Sequence, residues 1–341
     1  MHTIMLEDFG VFLGKKSKRF IVRRKGENLG EFPANEVERI IISSQGASMS
    51  SSALYLAVEN RIPVSFTYSS GRPFAFLTPT MGHGTVVTRR AQYLESDSEI
   101  ATTIACGFIL GKIQNQRSLV INWGKNRTRS NPGLSIRLSE IGDTINVSIE
   151  EIQSLSGRMT PAIRQEIFNI EARAAIHYWD GVSLIVPDHF GFRGRVTRNA
   201  KDPFNMMLNY GYGILLTEIH SAVSIAGLDP FAGFLHVDRS GRPSLVLDLI
   251  EEFRQQVVDR VIVTLLSKGS FQVDEVADSD GTLSKMIRQR IAQAVIDRLN
   301  ERITFNDCSM VLKGVIQRQA WQVSKVLKQE KKTYNPFYLK W

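Results

Sequence analysis

Hydrophobic and polar positions follow two different rhythms along this 341-residue chain. In the first part, apolar residues fall in short runs of strand length, at 11–13, 19–22, 37–42, 62–68 and 74–77, with glycines between them. One stretch departs from this. Ser50, Ser51 and Ser52 precede Ala53, Leu54, Leu56 and Ala57, a serine cap followed by apolar residues at helical spacing, and predict a short helix ending near Asn60. Further on, apolar residues recur at three and four positions over 100–123, 161–179, 203–226, 245–266, 283–299 and 310–327, as helices facing a core require. The change of period falls at Met81-Gly82-His83-Gly84, a glycine-flanked segment ahead of Arg89, Arg90, Gln92 and Tyr93. The expectation is an α+β, two-domain protein. A small N-terminal β domain, sandwich-like with one short helix, covers residues 1–85, and a mainly α-helical domain covers 86–341.

Composition agrees with that size: 43% hydrophobic and 22% charged residues suffice for a sizeable core, and the length exceeds that of a typical single domain. Forty-two Lys and Arg against 34 Asp and Glu leave a formal charge of +8, which favours a polyanionic partner. Two cysteines, Cys106 and Cys308, are too few for a disulfide framework or a cysteine-based zinc site, which favours a cytoplasmic setting. The first ten residues already carry Glu7 and Asp8 and no apolar stretch of signal-peptide or membrane-span length, so no membrane partner is expected. An aromatic tail, Tyr334, Phe337, Tyr338 and Trp341, reads as a locally docked or disordered end.

Chemistry concentrates in the helical part. Glu171 interrupts a helix of small and apolar residues, where an acidic side chain needs a partner, Arg173 or Arg164 being the ordinary ones. His236 follows two apolar residues as the chain leaves a loop, and by itself is equally well explained as a structural histidine. In the run 245–254, Asp248 and Glu251 stand at i and i+3 of a helix in a strongly apolar setting, with Arg254 and Arg242 as possible ion-pair partners. One imidazole with two carboxylates suits Mg²⁺ or Mn²⁺ and leaves room for phosphate and water. The segment 192–201 adds Arg193, Arg195, Arg198 and Lys201 to a glycine-containing loop, immediately before the helix start Asp202-Pro203-Phe204-Asn205, and suits phosphate contacts.

Together with Val87-Thr-Arg-Arg-Ala-Gln-Tyr93, Tyr178-Trp179, Leu208-Asn209-Tyr210-Gly211-Tyr212, Leu235-His236, Leu247 to Arg254 and Val258-Asp259-Arg260, these residues resemble the CRISPR-associated adaptation integrase family, the endonuclease that inserts new spacers into CRISPR arrays. The likeness spans essentially the whole chain. It departs at Gln255, where proline often follows the Glu-Phe-Arg run, and at Asn199-Ala200-Lys201. The resemblance implies an N-terminal β domain that forms a homodimer and a helical catalytic domain. It also implies a metal, Mg²⁺ or Mn²⁺, held by Glu171, His236 and Glu251, with Asp248 supporting the site or replacing Glu251 as ligand. The implied reaction is attack of a DNA 3′-hydroxyl on a repeat-boundary phosphodiester, or hydrolysis when water substitutes. The implied partners are double-stranded DNA, branched or with 3′ overhangs, contacted by Arg193, Arg195, Arg198, Lys201 and Arg254, and a small second adaptation protein bridging two dimers.

Overall fold

The short apolar runs at the start of the chain become strands of two four-stranded sheets in the structure, a computed structural model that describes residues 2–60, 62–68, 71–77, 85–278 and 281–339. The segment 81–84 and Trp341 lie outside those residues. Two compact units separate, Met1–Gly82 and His83–Trp341. The first holds β1 (His2–Leu6), β2 (Val11–Lys16), β3 (Arg19–Arg24), β4 (Glu27–Pro33), β5 (Val37–Ile42), β6 (Ser48–Met49), α1 (Ser51–Glu59), β7 (Val64–Thr67) and β8 (Pro73–Leu77). One sheet has the order β1-β5-β7-β8, with β8 alone antiparallel to its neighbour, and the other β4-β3-β2-β6.

Alternation explains the core of this unit. Ile4 and Leu6, Leu13, Phe20, Ile40 and Ile42, and Val64 point inward from both sheets and meet Leu56 and Ala57 of α1 in one cluster. The helix starts where its serine cap predicts, the Ser50 hydroxyl accepting the Ala53 N–H at 3.2 Å. β4 escapes the apolar pattern because no residue in it is buried; its backbone ladder to β3 defines it, as an edge strand.

The second unit contains α2 (Thr85–Leu94), α3 (Glu99–Lys125), α4 (Pro132–Ser154), α5 (Pro161–Ser183), α6 (Pro203–Ile225), α7 (Ser244–Leu249), α8 (Arg260–Ser267), α9 (Lys285–Asn300), the hairpin β9 (Arg302–Phe305) and β10 (Cys308–Val311), and α10 (Leu312–Leu327). Three of these helices begin alike. Asn131, Thr160 and Asp202 accept an N–H three residues ahead, and a proline fills the first helical position, where its missing N–H costs nothing. None of the described helices is long and apolar enough to cross a membrane.

Three expectations need correction. α4 buries only a narrow stripe, Leu138, Gly142, Ile145, Ser148 and Ile152, too sparse to stand out as a periodic run. The run 245–266 is not one helix: a 3₁₀ turn Ile250–Glu252 and a π-helical stretch Gln255–Asp259 separate α7 from α8. Residues 310 and 311 belong to β10 rather than to the last helix, and Cys308 sits exposed on that strand.

α3 is the organising helix, packing against α4, α5 and the 250–252 turn. Its glycines Gly107 and Gly111 open a channel for the end of the chain: a Cβ on Gly107 would run into the Tyr334 ring, and one on Gly111 would come within 3.0 Å of the Phe337 carbonyl and Pro336. Residues 334–339 lie there as a strap. Phe337 is fully buried and stacks on Phe253 at 4.8 Å, and the Asn115 side chain donates to the Phe337 carbonyl and accepts the Leu339 N–H.

Candidate active site

The centre forms where α3, α5 and the 250–254 turn converge. Lys112, rising from α3, places its Nζ 2.5 Å from Glu171 Oε1 and 2.7 Å from Glu251 Oε2. Arg254, three residues along the turn, reaches Glu251 Oε1 at 3.1 Å. The ordinary pairings suggested for Glu171 do not occur. Arg173 turns instead to Glu151 and Glu166, and Arg164 to the Phe234 carbonyl. Burial pushes the Glu251 carboxyl upward, but Arg254, Lys112 and His236 more than offset this and hold it at about 2. For Lys112 the balance runs the same way: burial opposes the ammonium, and Glu171 and Glu251 keep its pKa above the ordinary lysine value.

His236 is fixed from behind. Asp248, with no exposed surface, accepts the backbone N–H groups of Phe234 at 2.7 Å, Leu235 at 3.0 Å and His236 at 3.0 Å, and its Oδ1 lies 2.6 Å from His236 Nδ1. Four hydrogen bonds on one carboxylate leave it little capacity for anything else. Contact with Asp248 through Nδ1 turns the Nε2 edge of the imidazole outward, the arrangement by which carboxylates orient ligating histidines. The loop closes this tightly because residue 233 is glycine: a Cβ there would meet Ser244 Cβ at 2.8 Å and Asp248 Oδ2 at 2.9 Å. Buried Gln92 ties the approach to the same loop, donating to the carbonyls of Asp229 and Ala232 and accepting the Asp229 N–H.

A polar network extends from Arg254 to the basic loop. The Arg254 and Arg195 guanidiniums lie over the Tyr212 ring at 4.7 and 5.1 Å, and the hydroxyls of Tyr212 and Tyr178 donate to buried Asp259 at 2.5 and 2.8 Å. Burial lifts the Asp259 carboxyl to about 6, against the pull of the two hydroxyls and of Arg195 and Arg254. Asp259 closes the π-helical stretch, a geometry frequent at functional sites. The basic loop is stitched to the start of α6. Asn205 donates to the Gly194 carbonyl and accepts from Arg195 and the Val196 N–H, while Arg195 also donates to Asn209. Arg195 is therefore largely committed within the protein, whereas Arg193, Arg198 and Lys201 are exposed.

Among the described residues, no three His, Cys, Asp or Glu groups stand close enough to hold one metal ion. The donor set fits such an ion nonetheless. Two carboxylates already converge on a single cationic nitrogen, Lys112 Nζ, and His236 adds a favourable charge interaction with Glu251. Reading the sequence alone missed Lys112, and it gave Asp259 and the two tyrosines no part beyond carrying the family likeness. For Lys112 a cue existed: it is the one charge within the apolar stretch 108–113, the same reasoning that singled out Glu171.

The architecture is thus an α+β protein of two units whose helical unit carries a clustered acid, imidazole and guanidinium centre. The family model for CRISPR associated protein Cas1 matches residues 4–297, and the chain belongs to that family of endonucleases and integrases. It is 35% identical over 346 residues to a CRISPR-associated endonuclease Cas1 of Archaeoglobus fulgidus, covering 99% of each chain. It is 31% identical over 345 residues to one of Francisella tularensis subsp. novicida, covering 100% of each. In fold it is similar to a casposase bound to integration product, with a TM-score of 0.84 at 22% identity over 99% of this chain and 95% of that one. It is also similar to a Cas1 protein from Thermotoga maritima, with a TM-score of 0.78 at 19% identity over 99% and 100%. A Cas6-RT-Cas1–Cas2 complex shares the fold as well, with a TM-score of 0.77 at 19% identity over 99% of this chain and 36% of that one.

Proposed function

We propose that this Cas1 protein is a metal-dependent DNA endonuclease and integrase that inserts captured DNA into a CRISPR array, with Mg²⁺ or Mn²⁺ held by Glu171, His236 and Glu251. The observation that carries this reading is the convergence of the Glu171 and Glu251 carboxylates on one cationic atom, with His236 held through Nδ1 by Asp248 and acting electrostatically on Glu251. Bound there, a divalent ion supplies Lewis-acid polarisation of a phosphoryl oxygen. The protein's own groups do the positioning. Asp248 holds His236 in orientation and serves as its support rather than as a ligand, since its lone pairs are engaged by three backbone N–H groups and the imidazole.

Arg254 neutralises Glu251 and lies over the same tyrosine ring as Arg195, so the centre and the basic loop meet at Tyr212. Arg193, Arg198 and Lys201, exposed at the loop, are suited to phosphate contacts, with Arg195 and Arg254 closer to the reacting bond. In strand transfer the 3′-hydroxyl of the incoming DNA forms a new phosphodiester as the old one breaks, releasing the displaced strand with a 3′-hydroxyl. Water in place of that hydroxyl gives hydrolysis.

The partners proposed are double-stranded DNA, branched or with 3′ overhangs, a second copy of the chain joined through the first unit, and a small Cas2-type protein bridging two such dimers in the cytoplasm. Exposed Phe9, Leu29 and Phe74 give the first unit apolar surface for self-association. The test is strand transfer and cleavage of branched DNA in Mn²⁺ by Glu171→Ala and His236→Ala proteins. Both activities are expected to disappear, and full retention in either variant overturns the assignment.

A further inference from the structure

We propose that Lys112 is a resident counter-cation of the carboxylate pair, and that a divalent ion enters only by displacing its ammonium group, so that Lys112 sets the metal affinity of this centre. The inference rests on the metal reading given above and adds a residue and an exchange step to it.

Three observations carry it. A single nitrogen, Lys112 Nζ, bridges Glu171 Oε1 at 2.5 Å and Glu251 Oε2 at 2.7 Å, contacts that join α3, α5 and the 250–254 turn through one charge. Glu251 Oε2 is buried, and the Lys112 ammonium at 2.7 Å is the group that compensates its charge. The described residues form no ready group of three ligands: the carboxylates of Glu171 and Glu251 meet on Lys112 Nζ, the position an ion has to take over. A lysine is suited to this office and an arginine is not. Its ammonium is a compact point charge on a flexible four-carbon stem, able to occupy a cation position and withdraw from it, and the Lys112 side chain keeps 12% of its surface exposed as a way out.

Two consequences follow. Without metal, Lys112 keeps two acidic groups from repelling each other across a largely buried site. With metal, the same positive charge is a competitor at the carboxylates and a like charge beside the ion, so it weakens binding on both counts. Arg254 stays on the other oxygen of Glu251 and maintains one ion pair throughout.

The experiment is Mn²⁺ binding to the full chain by calorimetry, with thermal melting in chelator and in saturating Mn²⁺, for the unaltered protein, Lys112→Met, Lys112→Gln and Lys112→Arg. Lys112→Met and Lys112→Gln are expected to bind Mn²⁺ about tenfold more tightly or better, because competitor and like charge are both gone. They are also expected to melt below the unaltered protein in chelator and to close that gap in Mn²⁺. Lys112→Arg is expected to bind no more tightly than the unaltered protein. A folded Lys112→Met or Lys112→Gln protein with unchanged or weaker Mn²⁺ affinity overturns the inference while the metal reading stands, provided the unaltered protein binds and Glu171→Gln weakens it. Absence of a saturable Mn²⁺ site in every folded variant overturns both.

Discussion

Glu251 and Glu252 are neighbours on one 3₁₀ turn, both buried, and their environments differ in every other respect. Glu251 faces Lys112 and Arg254 and is held at about 2 despite burial. Glu252 faces the strap: it accepts the Tyr334 hydroxyl at 2.6 Å, the Gln319 amide at 3.0 Å and the Phe337 N–H at 2.9 Å. Burial lifts it to about 8, with those neutral donors only partly opposing the rise. Burial alone therefore does not decide what a carboxylate is. Full charges nearby stabilise the ionised form enough to offset the loss of water, and dipoles do so incompletely. One face of the turn is a charged centre, the other a neutral anchor.

The sharpest way to break this comparison is to make the same change on both faces. Glu251→Gln removes an ionised group, and strand transfer in Mn²⁺ is expected to fall about a thousand-fold, roughly 4 kcal/mol of transition-state stabilisation. Activity within tenfold of the unaltered protein would remove Glu251 from the charged centre. On the anchor side, Phe337→Ala empties a fully buried ring site and is expected to cost about 3 to 4 kcal/mol in urea unfolding. A loss below about 1 kcal/mol would mean that the strap contributes little.

A third change tests whether the neutral donors around Asp259 behave as those around Glu252 do. Asp259 rises from 3.8 to about 6, so its contribution to stability is full below pH 3.8 and is lost as pH climbs through 6. Asp259→Asn lacks that titration. Relative to the unaltered protein it should gain about 2 kcal/mol between pH 4 and 7, and parallel stability curves over that range would contradict the raised value. Asp248→Asn weakens the support of His236 and of the 234–236 backbone, and Mn²⁺ affinity is expected to drop about 10- to 100-fold; an unchanged binding isotherm would free His236 from that support. The smallest effect belongs to Glu252→Gln. An amide mimics a protonated carboxyl, so activity is expected to stay within about threefold, and a collapse of activity to the Glu251→Gln level would erase the difference between the two faces.

Much of the architecture was legible in one dimension. Alternating strands around Leu13, Phe20 and Ile40, the Ser50 cap and the Asp202-Pro203 helix start all depend on neighbours a few residues apart, and local rules reach that far. Where burial was thin, as along α4, or where backbone pairing rather than side chains made the element, as in β4, the pattern was silent. The break of 245–266 into α, 3₁₀, π and α segments was also hidden, because its residues are apolar enough for one helix. That break separates the roles of Asp248 and Glu251: one turns to the His236 loop, the other to Lys112.

The sequence by itself carried the change of period, the candidate acidic and histidine residues, the basic loop and the family likeness, since each lies in residue type and local order. Only the tertiary structure decided which charges meet. Glu171 finds Lys112 from another helix 59 positions away rather than the arginines on its own, and Glu252 finds a strap 82 and 85 positions downstream. Partners at such separations are chosen by packing, through the clearance at Gly107, Gly111 and Gly233, and no local pattern records that choice.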